Sequence, residues 1–286
     1  MKRNRRQFLT TALGGAALLS RARQARAQAA YRIGMCDWSL GRTEDITALD
    51  LAKDIGLDGV EASLSFSEEP GSIRLRKARD AYLARAKELK LDIPSIALGG
   101  LNNVPLRTEE LAAQLVGEAV TVAADLGARN ILIPFFGLGE LKITDSEGVD
   151  HVVAVLKELA PAAEKAGVVL GLESYLAAAD CLTILERVGS EAVRVYYDCR
   201  NSANKGYDVP AEIRQLGDRI CQVHLKNEGL MLSQKDNVDF PACAKALSDI
   251  GYKGWLVLET SSPSGDTVKD TQANMAYVRE VFTPPA

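Results

Sequence analysis

The sequence predicts a single α/β domain folded as a (β/α)8 TIM barrel. Eight short apolar runs alternate with helix-like stretches along the chain after residue 30. This alternation is typical of a parallel sheet covered by helices, and runs that are apolar throughout indicate strands buried on both faces. The chain has 286 residues, which fits one such barrel of about 250 residues with a short additional segment.

The eight predicted strands are short and follow one rhythm of helix, turn and apolar run. They lie within the segments 32–36, 54–63, 90–97, 126–134, 166–173, 193–197, 216–224 and 250–259. Most of these segments carry a glycine just before the strand, where it is suited to end the preceding helix.

Apolar residues between the strands recur three or four positions apart, which predicts amphipathic helices. The stretches 109–126 and 148–166 show this spacing most clearly. An open doubly wound sheet is the main alternative, and it would place a glycine-rich phosphate turn after the first strand. Residues 35–40 read Met-Cys-Asp-Trp-Ser-Leu, so the barrel is favoured.

Residues 1–29 have the pattern of a signal peptide. A basic start with Arg5 and Arg6 precedes an apolar run that is too short to span a membrane, and a small-x-small segment follows. The paired arginines resemble the twin-arginine export signal. We therefore expect cleavage after Ala27 or Ala29, with the barrel domain occupying 30–286. The mature protein is expected in the periplasm, delivered by the twin-arginine export machinery and without a membrane anchor.

The charge balance argues against a nucleic-acid partner. The whole chain has 34 Lys and Arg against 38 Asp and Glu, a net charge of −4. Residues 1–30 contain seven basic residues and no acidic one, so the remainder carries −4 − 7 = −11. Binding to nucleic acid needs basic surface that displaces counterions from the phosphates. The hydrophobic content of 47% also excludes a disordered chain.

Histidine and cysteine usage limits the kind of metal site. Any histidine-based site must use His151 or His224. The five cysteines form no C-x-x-C pair, which argues against structural zinc. The sequence leaves a disulfide open but does not require one.

Four predicted strands end in a potential metal ligand: Glu173, Asp198, His224 and Glu259. In a (β/α)8 barrel the carboxyl ends of the strands meet at one face, where active sites lie. A charged side chain ending an apolar strand is costly unless it is paired or bound to a cation. Three carboxylates and one imidazole suit a divalent ion, with Mn²⁺ first and Mg²⁺, Co²⁺ or Zn²⁺ as alternatives.

Several short motifs resemble one known family. They are Asp-Gly-Val-Glu at 58–61, Leu-Glu-Ser at 172–174, Tyr-Asp-Cys-Arg-Asn at 197–201, Val-His-Leu-Lys-Asn at 223–227, Asn-Val-Asp-Phe at 237–240 and Leu-Glu-Thr at 258–260. In this order they resemble the xylose isomerase-like barrels, which include sugar-phosphate isomerases, ketose 3-epimerases, inositol-catabolism enzymes and AP endonucleases. The resemblance covers residues 31–283. It implies a single divalent ion on Glu173, Asp198, His224 and Glu259, with the two glutamates as an acid–base pair.

The chain departs from two branches of that family. Asn201 stands where the endonucleases carry a histidine, and no further histidine pair follows His224, so a nuclease is disfavoured. The ketose 3-epimerases tend to have a histidine near position 201 and an arginine shortly after the metal-binding histidine. This chain has Asn201, Lys226 and Asn227 there, which leaves the substrate open.

The residues predict proton removal next to a carbonyl, through an enediolate, in a sugar or keto-sugar. Glu173 would take a proton on one face and Glu259 would return one on the other, while Lys226 either stabilises the enolate oxygen or is an ordinary loop lysine. Two alternatives remain. The same proton abstraction makes the protein a 3-keto-glycoside lyase or hydratase, and a barrel without turnover would be a metal-containing sugar-binding protein.

The pocket walls are predicted from neighbouring strand ends. Trp38, Glu61, Phe135, Asn201 and Lys226 are candidate sugar contacts, with Phe135 and Phe136 equally suited to pocket or core. The later βα loops contain no glycine-rich anion cradle, which favours a non-phosphorylated sugar. Barrel helices often pair between copies, so a homo-oligomer is left open.

Overall fold

The computed structural model describes residues 31–282, and it contains a closed barrel of eight parallel strands. The strands pair in chain order, and the first strand pairs with the last. Their bounds are β1 Ile33–Cys36, β2 Gly59–Ser63, β3 Ser95–Ala97, β4 Asn130–Phe135, β5 Val169–Ser174, β6 Val193–Asp198, β7 Ile220–Leu225 and β8 Leu256–Leu258. The predicted (β/α)8 TIM barrel is confirmed. The predicted leader, residues 1–29, lies outside the described residues.

Helices follow the strands around the outside of the barrel. Within residues 31–282 they are α1 Thr47–Ile55, α2 Arg76–Leu89, α3 Glu110–Leu126, α4 Ser146–Ala166, α5 Ala178–Val188, α6 Cys199–Asn204, α7 Val209–Leu216, α8 Phe240–Asp249 and α9 Thr267–Val281. Short 3₁₀ turns lie at Gly99–Asn102, Gly137–Gly139 and Gly217–Arg219. None of the described helices is long and apolar enough to cross a membrane.

Glycine ends several of these helices, as the sequence pattern indicates. Gly56, Gly127, Gly167 and Gly189 follow α1, α3, α4 and α5 with positive φ, a conformation that a residue without Cβ adopts at little cost. Lys90 takes the same left-handed position after α2, with a φ of 56°. The helices therefore stop at set positions and return the chain to the next strand.

The hydrophobic core has two parts. The larger lies between strands and helices and includes residues such as Ile131 and Ile133. The smaller contains Ala97, Leu132 and Tyr196. Since side chains alternate along a strand, Leu132 lies on the opposite face from its two neighbours, inside the barrel. The interior also holds polar side chains such as Glu61 and Gln222, which have no exposed surface.

All five cysteines are free thiols, so the structure contains no disulfide among the described residues. Four of them are buried and Cys221 is partly buried. This agrees with their placement in apolar runs.

Gly59 provides a test of close packing at the start of β2. A Cβ at this position would lie 2.5 Å from the carbonyl oxygen of Asp92 and 3.0 Å from the ring of Trp255. We expect Gly59→Ala to destabilise the protein by about 1–3 kcal/mol, the usual cost of overpacking, as measured by urea unfolding. Gly99→Ala is the control, because a Cβ there meets nothing within 4 Å. Equal stability of the two variants would contradict the expected clash.

Candidate active site

The structure brings the four predicted ligands together at the carboxyl ends of the strands. Glu173 lies near the end of β5, Asp198 ends β6, His224 lies near the end of β7, and Glu259 directly follows β8. One ligand atom from each lies within 4.8 Å of the others. We call this group the carboxylate cluster.

The imidazole lies between two of the carboxylates. His224 Nδ1 lies 3.3 Å from Oε1 of Glu173 and 3.3 Å from Oε2 of Glu259. The His224 side chain has no exposed surface. His151, the other histidine, lies within α4, so the site depends on a single imidazole.

Asp198 contributes to the cluster and to the fold at once. Its Oδ1 accepts hydrogen bonds from the backbone N–H groups of Arg200 and Asn201, at 2.6 and 2.8 Å, and so caps α6. Its Oδ2 is buried and has no hydrogen-bond partner. The cap fixes the carboxylate in one orientation and leaves one oxygen directed at the other ligands.

The buried carboxylates perturb one another. Burial raises the pKa of Glu173, and burial with the charges of Glu259 and Glu173 raises the pKa of Asp198 to about 7. Burial also opposes ionisation of Glu259, but His224 and Lys226 outweigh it and lower the pKa of Glu259 to about 2. The negative charges of Glu173, Asp198 and Glu259 repel one another in this buried region, and a bound cation would offset that repulsion.

These residues fit a divalent cation. The donor set is three carboxylates and one imidazole, and oxygen-rich sets of this kind suit Mn²⁺, Mg²⁺ or Co²⁺. Asp198 Oδ2 is a buried acceptor with no hydrogen bond, and the nearest cation, Lys226 Nζ, lies 3.9 Å from it. Glu173, Asp198, His224 and Glu259 are the residues that could hold the ion.

Two side chains hold Glu259 from the cavity side. Lys226 Nζ donates a hydrogen bond to Glu259 Oε2 at 3.1 Å, and Trp38 Nε1 donates to Glu259 Oε1 at 3.3 Å. Glu173 has a neutral partner instead, since Asn201 Nδ2 donates to its Oε1 at 3.3 Å. The two glutamates therefore lie in different electrostatic surroundings.

A cavity of about 410 Å³ opens above the carboxylate cluster. Its lining combines apolar and polar groups: Trp38, Thr43, Ser63, Ala97, Gly99, Asn102, Leu132, Pro134, Phe136, Glu173, Tyr175, Asn201, Lys226 and Glu259. The rings of Phe136 and Tyr175 pack with centroids 4.7 Å apart. This volume lies toward the lower end of the ~300–1,000 Å³ usual for small-molecule pockets.

The pocket placement predicted for Glu61 is wrong, and Phe135 takes the core position of its two alternatives. Phe135 is 1% exposed and packs in the outer core, while Phe136 lines the cavity. The strand alternation that puts Pro134 and Phe136 toward the cavity turns Phe135 away from it. Glu61 is fully buried, because β2 continues to Ser63 and it is Ser63 that lines the cavity.

Three of the predicted contact residues do line the cavity: Trp38, Asn201 and Lys226. Asn102 lines the cavity without having been predicted, and its only signal in the sequence is its place after the third strand. A buried polar group below His224 was not predicted either. Ser95, Asn130 and Gln222 belong to that group. Ser95 and Asn130 are the first residues of β3 and β4, and Gln222 lies in the middle of β7.

Curated relatives of this chain carry sugar epimerase names. The chain is 30% identical to a protein of Escherichia coli provisionally named L-ribulose-5-phosphate 3-epimerase SgbU, over 239 residues that are 74% of this chain and 82% of the relative. It is also 30% identical to the L-ribulose 3-epimerase of Mesorhizobium japonicum over 182 residues, 59% of this chain and 61% of the relative.

Solved structures agree on the fold. A crystal structure of D-psicose 3-epimerase in the presence of D-fructose superposes with a TM-score of 0.74 at 14% identity, covering 88% of this chain and 99% of that one. The family model described as "Xylose isomerase-like TIM barrel" matches residues 49–281. This chain therefore belongs to the xylose isomerase-like TIM barrel family.

Proposed function

We propose that the protein is a divalent-metal-dependent isomerase or epimerase of a non-phosphorylated sugar or keto-sugar. One observation carries the proposal: Glu173 and Glu259 both contact His224 Nδ1 at 3.3 Å and both line the same cavity. Two carboxylates beside one substrate pocket suit removal and return of a proton on carbon. The epimerase names of the relatives support the same reaction class.

The metal is part of this proposal. Glu173, Asp198, His224 and Glu259 would hold one divalent ion, with Mn²⁺ preferred because most of the donors are oxygen atoms. A bound ion would supply Lewis acidity to the sugar carbonyl and so acidify the neighbouring C–H.

The side chains around the cavity carry out the proton transfers and stabilise the intermediate. Glu173 removes the proton from the carbon next to the carbonyl, and Asn201 holds the Glu173 carboxylate in place. Glu259 returns a proton from its own side of the cavity, oriented by Trp38 and Lys226. The Lys226 ammonium places positive charge near the enediolate oxygen, which lowers the energy of that intermediate.

The cavity lining favours a substrate without phosphate. Among the described residues, Lys226 is the one cation that lines this cavity, and it already donates to Glu259. Phosphate recognition usually needs dedicated cations or a helix N-terminus directed at the ligand. A neutral sugar, held by Asn102, Asn201 and the aromatic walls, matches this lining.

Solvent exchange provides the direct test. With Mn²⁺ in D₂O, we expect deuterium to enter one carbon of a free ketose next to its carbonyl, detected by NMR and mass spectrometry. The panel includes ketose phosphates and 3-keto-glycosides. Exchange restricted to ketose phosphates would contradict the proposal of a substrate without phosphate. Release of the aglycone from a 3-keto-glycoside would show that the protein catalyses elimination and would contradict isomerisation.

Glutamine substitutions test the acid–base pair. Glu173→Gln and Glu259→Gln each keep an oxygen donor for the metal but remove the proton acceptor. We expect exchange to fall by about 10²–10⁴-fold at saturating Mn²⁺. Bound metal and the unfolding midpoint are measured in the same samples as controls. Unchanged exchange with metal bound would contradict these roles, and sugar binding without exchange in the wild type would indicate a binding protein.

We propose that the twin-arginine segment, with Arg5 and Arg6, exports the protein to the periplasm. The full-length chain is expected to appear in a periplasmic fraction with its N-terminus at Gln28 or Ala30, as mass spectrometry would read it. The double variant Arg5→Lys, Arg6→Lys should leave the precursor uncleaved in the cytoplasm. An uncleaved wild-type chain in the cytoplasm would contradict export.

A further inference from the structure

The barrel interior beneath the carboxylate cluster is polar. TIM-barrel interiors are usually filled by bulky branched side chains. Here the space is occupied by side chains that are 0–8% exposed: Glu61, Ser95, Asn130, Tyr196 and Gln222. We call these five residues the polar column. They are linked by hydrogen bonds from β4 near the bottom of the barrel to His224 near the top.

The lower part of the column has a defined donor direction. Asn130 Nδ2 donates to Gln222 Oε1 at 2.7 Å, so the Gln222 amide presents its NH₂ group to the other side. That NH₂ donates to Ser95 Oγ at 2.6 Å and to the Tyr196 hydroxyl at 2.7 Å. Both amide hydrogens are therefore in use, and both hydroxyl oxygens are acceptors.

The two hydroxyl hydrogens converge on one atom. Since Ser95 and Tyr196 each accept from Gln222, each has its own hydrogen free to donate. Both hydroxyls donate to the same carboxylate oxygen, Oε2 of Glu61. Two donors thus fix the orientation of the Glu61 carboxylate.

The other oxygen of Glu61 faces the histidine. Glu61 Oε1 lies 3.0 Å from His224 Nε2, and both side chains are fully buried. The Cys36 thiol lies beside this contact and donates to the same oxygen at 3.6 Å. Because a carboxylate oxygen is an acceptor, Nε2 donates to it as well and carries the hydrogen of a neutral imidazole. In a neutral imidazole the second nitrogen is then a free acceptor. That nitrogen is Nδ1, which lies 3.3 Å from the carboxylate oxygens of Glu173 and Glu259. A cation shared with those two carboxylates would occupy the place between them and Nδ1 that a hydrogen occupies on Nε2, where the contact is the shorter one at 3.0 Å.

We propose that Glu61 is a positioning residue that keeps the hydrogen of His224 on Nε2, so that Nδ1 is available as a metal ligand. The hydroxyls of the polar column donate to Oε2 of Glu61, which leaves Oε1 to accept from His224. The inference rests on the proposed function in one respect, the metal at the carboxylate cluster. It assigns to Glu61 a role different from the substrate contact expected from the sequence.

Glu61→Gln should reverse the donor and the acceptor of the hydrogen bond between residue 61 and His224 Nε2, with little change in the shape of the side chain. The hydroxyls of Ser95 and Tyr196 still donate, so the oxygen of the new amide occupies the Oε2 position. The opposite orientation would place the NH₂ group against two donors and leave buried polar groups unpaired, which is costly. The NH₂ group therefore faces Nε2, which becomes an acceptor, and the hydrogen moves to Nδ1.

The expected result is a loss of metal affinity of at least about 10–100-fold, the usual effect of changing the partner of a metal-bound histidine. The dissociation constant of Mn²⁺ is measured by titration of the purified protein without substrate. Glu212→Gln is the matched control, because Glu212 is also a buried glutamate that accepts two hydrogen bonds, from the Ala178 N–H and the Tyr197 hydroxyl. It should leave the Mn²⁺ affinity unchanged.

NMR provides a second measurement, which reports the nitrogen of His224 that carries the hydrogen. A residue that only stabilised the fold would not change this result. The chain has only two histidines, so ¹⁵N-labelled imidazoles give two resolvable sets of signals. In the Zn²⁺-loaded wild type we expect hydrogen on Nε2 of His224 and none on Nδ1. In metal-free Glu61→Gln, at a pH where the His224 imidazole is uncharged, we expect hydrogen on Nδ1 and none on Nε2. The wild-type spectrum tests the proposal even where the variant fails to fold.

Each outcome decides the inference. A bare Nε2 in the loaded wild type, a wild type that binds neither ion, or a folded Glu61→Gln with wild-type Mn²⁺ affinity would overturn it. Failure of the sugar exchange assay, with these metal and NMR results as expected, would contradict the proposed reaction and leave the role of Glu61 standing.

Discussion

The electrostatic conflict in the carboxylate cluster is the constraint on which the rest of this structure depends. Asp198, Glu173 and Glu259 converge on one imidazole in a buried region, and burial with mutual repulsion raises the pKa of Asp198 to about 7. Such a grouping is unfavourable unless a cation balances it. Closed strand pairing keeps the ligands from separating, because each lies at or next to the end of a strand bonded on both sides.

The scaffold also distinguishes the two glutamates. Glu259 is held by an ammonium and an indole N–H, whereas the amide of Asn201 donates to Glu173. A carboxylate beside Lys226 is stabilised as the anion, and one buried beside a neutral amide is less so. The two carboxylates beside the cavity are therefore not equivalent, although both would hold the same cation.

The four ligands were predictable from sequence because each one ends an apolar run. In a (β/α)8 barrel the ends of the strands lie together at one face, so the four side chains are close in space. The positions of Glu61 and Phe135 were not predictable, because they depend on where a strand stops and which face a residue takes. A shift of one or two residues moves a side chain from the cavity to the core. Glu61 and Tyr196 are 135 positions apart, and no local pattern relates residues so distant.

The polar column explains how a barrel can place hydrogen-bonding groups in its interior without losing its fold. Its five members, Glu61, Ser95, Asn130, Tyr196 and Gln222, satisfy one another through a single donor direction. A fully paired buried network is tolerated, while a partly paired one is costly. The main apolar burial lies outside the strands, against the helices. Stability therefore resides in the outer layer, and the inner layer is free to set the hydrogen-bonding state of the histidine at the site.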